Sequence, residues 1–420
     1  MSGLPRRPAT KREAAVAAWQ DHAMATVARP HRPRLTATLR SEERVMPLEL
    51  FFDLVFVLAL TQCTALMAAV PTWEGVAQSM LILGMLWWAW VGYSWLTSVV
   101  DPEEGVVRFA IFGAMAAFLV ASLAIPRAFD DLALLFACAY GVVRMGQIVL
   151  FMAASRDDPA LRSSVIGLGV STAIGTGLLL AASATDDVPQ GSLWALALLL
   201  DAGGPYLVGQ DGWKLAPGHF AERHGLIIII ALGESIVAIG AGATSGVEVG
   251  VVAAAVLGMG VAAAFWWLYF DVVALVAERR LGRAEPGHEQ NGIARDSYSY
   301  LHFPMVAGIV LVALGMKKTL GDVGEPLKLV PAVATLGGTA IYLLAHVAFR
   351  YRNVQSFNIH RSVCAVLLVA LLPVAVEIPA LASLAILFAA LAILIAYEAV
   401  RFAEARAKVR HQLTEEPAPN

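Results

Sequence analysis

Between Leu48 and Val400 the chain is built from about a dozen apolar runs of roughly 17 to 25 residues, several of them carrying an ionisable side chain. That pattern limits what the chain can fold into. An α-helix rises about 1.5 Å per residue, so roughly 20 apolar residues cover the ~30 Å hydrocarbon core of a bilayer. Backbone in lipid must satisfy its own hydrogen bonds, and runs of this length do so as helices. With 58% hydrophobic and 15% charged residues, and a mean hydropathy of +0.68, water is not the main solvent of this chain. We therefore expect an all-α, polytopic membrane helix bundle. A formal net charge of −3, with no basic stripe interleaved with aromatics, excludes a nucleic-acid partner. Cys63, Cys138 and Cys364 lie far apart within apolar runs, without metal-type spacing.

About 12 transmembrane helices are expected, near 48–70, 76–98, 106–125, 132–154, 163–182, 193–209, 219–241, 249–276, 298–316, 329–349, 360–379 and 381–400. Turn chemistry such as Asp101-Pro102-Glu103-Glu104-Gly105 and Asp157-Asp158-Pro159 separates them. The first 47 residues are basic and lack the apolar core of a cleaved signal peptide, so the first span serves as its own insertion signal. Arg and Lys concentrate in alternate loops, including Arg108, Arg156, Arg162, Arg279, Arg280, Arg350 and Arg352, which places both termini on the cytoplasmic side. The chain also resembles itself: Leu54–Leu60 matches Leu226–Leu232, Trp87-Trp88 matches Trp266-Trp267, and Arg162-Ser163 matches Arg361-Ser362, in one order. This predicts a parallel duplication of a six-helix unit. The organisation expected is a basic cytoplasmic tail (1–47), a first half (48–209), a second half (210–400) and a carboxyl tail (401–420).

An ionisable group within hydrocarbon normally faces protein or water. Glu49 and Asp53 stand four residues apart on one face of the first span, and His219, Glu222, Arg223 and His224 open the seventh. The expected topology brings Arg144, Asp271, His302 and His346 to similar depth, predicting one charged cavity beneath the inner leaflet. Carboxylates near a helix start also complement its dipole, and Arg223 also serves as a structural counter-ion, so each residue has a purely architectural reading. Glu234 lies fifteen residues into the seventh span, where no interfacial reading reaches, with Thr61 and Gln62 at the same depth in the first. Gly233 beside it suggests a close helix contact or a loosened ladder, and Asp201 before Gly203-Gly204-Pro205 predicts a broken helix. Phe52, Trp88, Trp266 and Trp267 are candidates for an aromatic pocket, against a default of plain packing. His219 and His224 are about 140° apart around a helix and match no zinc-protease pattern, so neither a metal nor a cofactor is expected.

Pro47-Leu48-Glu49-Leu50-Phe51-Phe52-Asp53-Leu54-Val55-Phe56-Val57, the segment His219 to Ser235, Trp266-Trp267-Leu268-Tyr269-Phe270-Asp271 and His302-Phe303-Pro304 resemble the motifs of the bacterial low-temperature-requirement A family. The likeness runs from about residue 45 to 400 and implies a multi-pass protein of the bacterial cytoplasmic membrane, without supplying a substrate. It marks Glu49, Phe51, Phe52, Asp53, His219, Glu222, Arg223, Gly225, Gly233, Glu234, Trp266, Trp267, Asp271 and His302 as motif positions. The leading functional expectation is a transporter or permease-like protein, proton-linked, whose partners are membrane lipids and a small-molecule or ion substrate. Two other classes compete: an intramembrane enzyme donating a proton from Asp53 or Glu234 to a lipid or isoprenoid-like substrate, and a non-catalytic membrane sensor or assembly protein.

Overall fold

The computed structural model describes residues 44–407 apart from 208, 210, 211, 244–247 and 405, so the basic amino-terminal segment up to residue 43 and the carboxyl tail beyond 407 lie outside it. The described chain is helical, and its one β-type pairing is an isolated bridge between Pro326 and Pro379. The helices are α1 (Pro47–Ala69), α2 (Trp73–Thr97), α3 (Gly105–Ala124), α4 (Ala133–Ala154), α5 (Pro159–Ala182), α6 (Asp187–Leu207), α7 (Pro217–Gly242) and α8 (Val249–Phe270). They continue as α9 (Val273–Gly282), α10 (His288–Ile293), a π-helical turn (Ala294–Tyr300), α11 (His302–Gly321), α12 (Leu329–Val354), α13 (Ile359–Ala370), α14 (Leu372–Ala375) and α15 (Ala380–Arg401).

Local chemistry fixes many of the boundaries. α1, α5 and α7 begin on Pro47, Pro159 and Pro217, where the missing N–H costs nothing and φ is already helical. Thr72, Asp158 and Asn358 cap α2, α5 and α13 by accepting from the N–H groups of Gly75, Leu161 and Arg361.

Ten helical segments among the described residues are long and apolar enough to cross a membrane. Two of the twelve expected runs fall outside that set. α6 is continuous but less apolar, while the run at 360–379 divides into the twelve-residue α13 and the one-turn α14. Pro373 lies in the first turn of α14, so the chain cannot continue α13 unbroken; twelve residues span only about 18 Å. The break expected around Asp201 is absent: α6 runs through Pro205 to Leu207. Because Pro205 sits in the last turn and has no N–H, its cost is confined to the carbonyl of Asp201 four residues earlier.

α11, α12 and α2 form the interior, with 78%, 72% and 67% of their apolar windows buried, whereas α5 and α15 bury 33% and turn most of their surface outward. α1 packs on α7, and both pack on α11. The pairs Glu49–His219, Asp53–Arg223 and Thr61–Glu234 rise together in residue number, so α1 and α7 run parallel.

Candidate functional site

The α1–α7 contact carries polar groups at three levels because both helices repeat them at matched spacing. Glu49 and Asp53 are four residues apart on α1, as are His219 and Arg223 on α7, so one helical turn separates the levels on each side. At the first level His219 Nε2 lies 2.9 and 3.0 Å from the Glu49 carboxylate oxygens, and Met46 N–H donates to Glu49 Oε2 at 2.9 Å. At the second, Arg223 donates from Nη1 to Glu49 Oε1 at 3.2 Å and from Nη2 to Asp53 Oδ1 at 3.1 Å. Twelve residues along α1 from Glu49, Thr61 donates to Glu234.

α2 closes the cluster with one face. Trp90 Nε1 donates to Asp53 Oδ1 at 2.7 Å, Thr97 Oγ1 accepts from Arg223 at 2.6 Å, and the Tyr93 carbonyl accepts at 3.4 Å. Arg223 also lies 5.6 Å from the Trp90 ring and 5.9 Å from Phe52, distances suited to cation–π attraction. Glu49, Asp53, His219 and Arg223 are buried, and the gap bordering Glu49 and Arg223 leaves no room for a water molecule. A buried guanidinium between two carboxylates is a high-stakes arrangement: it holds while every partner is present and fails when one is removed. Asp53 Oδ2 and Arg223 Nε have no hydrogen-bond partner among the described residues.

A second cluster lies within the first half. Arg144 on α4 donates to Asp201 on α6 and, at 2.5 Å, to Gln147; Thr172 Oγ lies 3.1 Å from both Arg144 and Asp201, and Tyr140 donates to Asp201. It borders a cavity of about 70 Å³ whose walls include Trp88, Trp95, Trp213, Gln147, Asn291 and Arg295. A Cβ at Gly92 would stand 2.2 Å from the Gln147 amide, so any side chain there displaces that amide. Arg144 Nε, buried, has no acceptor among the described residues.

The remaining candidates do not join one cavity. His346 Nδ1 accepts from Arg361 at 3.2 Å, and Arg361 holds Glu398 through two bonds of 3.0 and 2.8 Å. Asp271 pairs with Arg406 at 2.6 Å. His302 Nδ1 donates to the Ser297 carbonyl at 3.0 Å, so its Nε2 accepts from Tyr269 Oη at 2.8 Å. His224 donates from Nδ1 to the Phe220 carbonyl and stacks edge-on to Trp90 and His302, with centroids 5.0 and 5.2 Å away. The single shared cavity read from the sequence is thus replaced by distinct charged clusters with His224 and His302 packed between them through ring contacts: similar depth along the membrane normal does not by itself open a common space. Glu222 is exposed and accepts from Val45 N–H at 3.1 Å.

The four aromatics disperse as well. Phe52 covers Arg223 and Trp88 meets Tyr300 at 4.7 Å, but Trp266 is 46% exposed on α8 and Trp267, 38% exposed, lies beside Arg406. Gly233 admits no close helix contact, for nothing lies within 4 Å of where its Cβ would be, and α7 continues unbroken past it. Among the described residues no three His, Cys, Asp or Glu side chains converge as a metal site.

Sequence reasoning did not single out Thr97, Tyr93, Gln147, Thr172 or Glu398 as partners of these charges. Trp90, Tyr93 and Thr97 fall at i, i+3 and i+7, the spacing of one helix face, and that signal was available. Gln147, three residues from Arg144, carried a similar one.

No solved structure matches the chain. An uncharacterized protein of Rhizobium meliloti (strain 1021) is 29% identical over 306 residues, covering 70% of this chain and 74% of that relative. The family pattern described as bacterial low temperature requirement A protein matches residues 44–396, which hold both the α1–α7 cluster and the Arg144–Asp201 cluster. With the match spanning most of the chain and every element that builds those clusters, the protein belongs to the bacterial low temperature requirement A family.

Proposed function

We propose that this multi-pass membrane protein is a proton-linked permease in which Asp53 is the proton-exchanging group. The carrying observation is the unpartnered Asp53 Oδ2, fully buried while Oδ1 holds both Trp90 and Arg223. A carboxylate oxygen without a donor in a dry interior costs several kcal/mol, and a proton placed on that atom removes the charge. Protonated, Asp53 loses its charge attraction for Arg223 and leaves Glu49 as that guanidinium's anionic partner; deprotonated, it draws Arg223 back. Because Asp53 is on α1 and Arg223 on α7, proton exchange alters the attraction between two parallel helices, a differential interaction of the kind that biases one conformation over another.

In this reading the chain is a duplicated six-helix unit, 48–209 and 210–400, with both termini cytoplasmic in the bacterial inner membrane. Supporting it, each half has an arginine–carboxylate pair whose acid sits on its last long helix, buried Asp201 on α6 and half-buried Glu398 on α15. The cavity beside Arg144 is the substrate recess, where an unused Arg144 Nε–H and three tryptophans suit a small polar or anionic solute with a planar or apolar part. The enzyme reading, with Asp53 or Glu234 as proton donor, has less support, since neither acid lines any of the described cavities, the tryptophan-walled one included.

Purified protein reconstituted into liposomes with an internal pH dye tests this. An imposed gradient is expected to drive proton entry in the wild type, and Asp53→Asn is expected to abolish it while eluting as a folded, monodisperse species. Equal proton entry in Asp53→Asn removes Asp53 from the mechanism; Glu234→Gln run alongside shows whether the deeper carboxyl shares the task.

A further inference from the structure

The largest cavity among those described lies outside both clusters above. It encloses about 260 Å³ between the end of α8, the start of α9, and the ends of α12, α13 and α15. Its apolar wall includes Trp267, Phe349 and Phe402, and its polar wall has three arginines, Arg350, Arg361 and Arg406, against two acids, Asp271 and Glu398.

These charges are unequally satisfied. Arg361 holds Glu398 along its Nε–Nη2 edge and donates Nη1 to the Leu268 carbonyl and His346, and Arg406 is paired with Asp271 and lies 5.4 Å from the Trp267 ring. Arg350 differs: its guanidinium donates to Ser356 Oγ at 3.2 Å, and no carboxylate among the described residues pairs with it. Half-buried, it lies near the like charge of Arg361 and feels Glu398 only at a distance, because that carboxylate is bonded to Arg361.

A second, independent observation concerns Asn353, 5% exposed in the same wall. Its amide nitrogen donates to the Phe349 carbonyl at 2.8 Å, which fixes the amide orientation and turns Oδ1 into an acceptor. That buried Oδ1 has no donor among the described residues. Among the described residues the cavity thus has no anion bonded to Arg350 and no donor at Asn353, one helical turn away on α12. Phe357, Ile359 and Val363 continue from it as exposed apolar surface along the start of α13.

We propose that this cavity binds a phosphate-bearing anion, its phosphate oxygens on Arg350 and Arg406 and its own hydroxyl or ammonium donor on Asn353. Guanidinium–phosphate bonds are short and charge-assisted, which suits the arginine content. The same chemistry is offered by the headgroup of an anionic phospholipid, whose acyl chains would follow α13, and by soluble phosphate.

Native mass spectrometry of the full-length protein released from detergent separates these sources. The probes are phosphatidylglycerol, phosphatidylcholine and inorganic phosphate. The expected result is retention of one phosphatidylglycerol under conditions that strip phosphatidylcholine, with binding weakened roughly tenfold in Arg350→Gln and less in Arg350→Lys. Displacement of phosphatidylglycerol by millimolar phosphate also supports the site, and phosphate binding without lipid binding supports it with a soluble source. Asn353→Leu is the second variant, should Arg350→Gln fail to fold, and is expected to weaken the same ligand. Equal retention of the two lipids with no phosphate binding, or ligand binding unchanged in folded Arg350→Gln and Asn353→Leu, overturns the proposal.

Discussion

The Glu49–Asp53–Arg223 cluster and the Arg144–Asp201 cluster use the same chemistry, a buried guanidinium held by carboxylate and hydroxyl groups, and differ in what surrounds them. The first is sealed between α1, α2 and α7 with no room for water; the second borders a 70 Å³ cavity. In the sealed cluster a lost partner leaves a charge that nothing can solvate. In the open one, water replaces part of what is removed. The same ion pair is therefore a coupling element in one place and a ligand-facing group in the other, and packing makes the difference rather than residue type.

Deleting charges should expose that contrast most strongly. Arg223→Leu strands Asp53 and deprives Glu49 of its guanidinium, and is expected to cost about 3–5 kcal/mol, read as a lowered Tm of the purified protein. Adding Asp53→Leu should return part of the loss. Arg144→Leu leaves Asp201 with Tyr140, Thr172 and access to water, so about 1–3 kcal/mol is expected. Equal losses at the two arginines would erase the distinction between sealed and open clusters.

Smaller changes sharpen the comparison. Thr61→Val removes the donor to buried Glu234 and should cost about 1 kcal/mol in thermal melts, with proton entry into liposomes as the second readout. Gly92→Ala forces the Gln147 amide, the far end of a flexible side chain, into the recess. Its stability should stay within about 1 kcal/mol of wild type while solute uptake falls, and unchanged uptake would argue that the recess is not on the substrate path.

The smallest effect belongs to the exposed periphery. Lys214 Nζ lies 2.9 Å from Asp158 and, with the Leu161 N–H, holds that carboxyl below the usual carboxylate range. Since its folded pKa is depressed, its stabilisation is present above the unfolded value of about 3.9 and is lost as pH falls through the folded value. Lys214→Met should therefore cost about 0.5 kcal/mol at neutral pH, a solvent-screened amount, and the difference should close in acid. A pH-independent difference would place the effect in packing instead.

Much of this architecture was legible before any coordinates. Long apolar runs impose helices because lipid offers the backbone no other partner, and proline, Asp-Pro and glycine marked most of their limits. The i,i+4 pairs Glu49/Asp53 and His219/Arg223 showed that each helix presents a charged edge. Two run-level expectations missed for local reasons: Pro373 interrupts the α13–α14 segment, whereas Pro205 is late enough in α6 for the helix to pass through it.

Periodicity gives the direction in which a side chain leaves its own helix, and depth follows from counting residues, so the amino-acid order alone carries the membrane helix bundle and most of its buried charges, Glu222 being an exposed exception. Lateral neighbours depend on how the helices are arranged around one another, and neither quantity contains that information. Helix arrangement alone brings Arg223 to Asp53, Arg144 to Asp201 and His346 to Arg361, and it turns Trp266 outward while setting Trp267 beside Arg406.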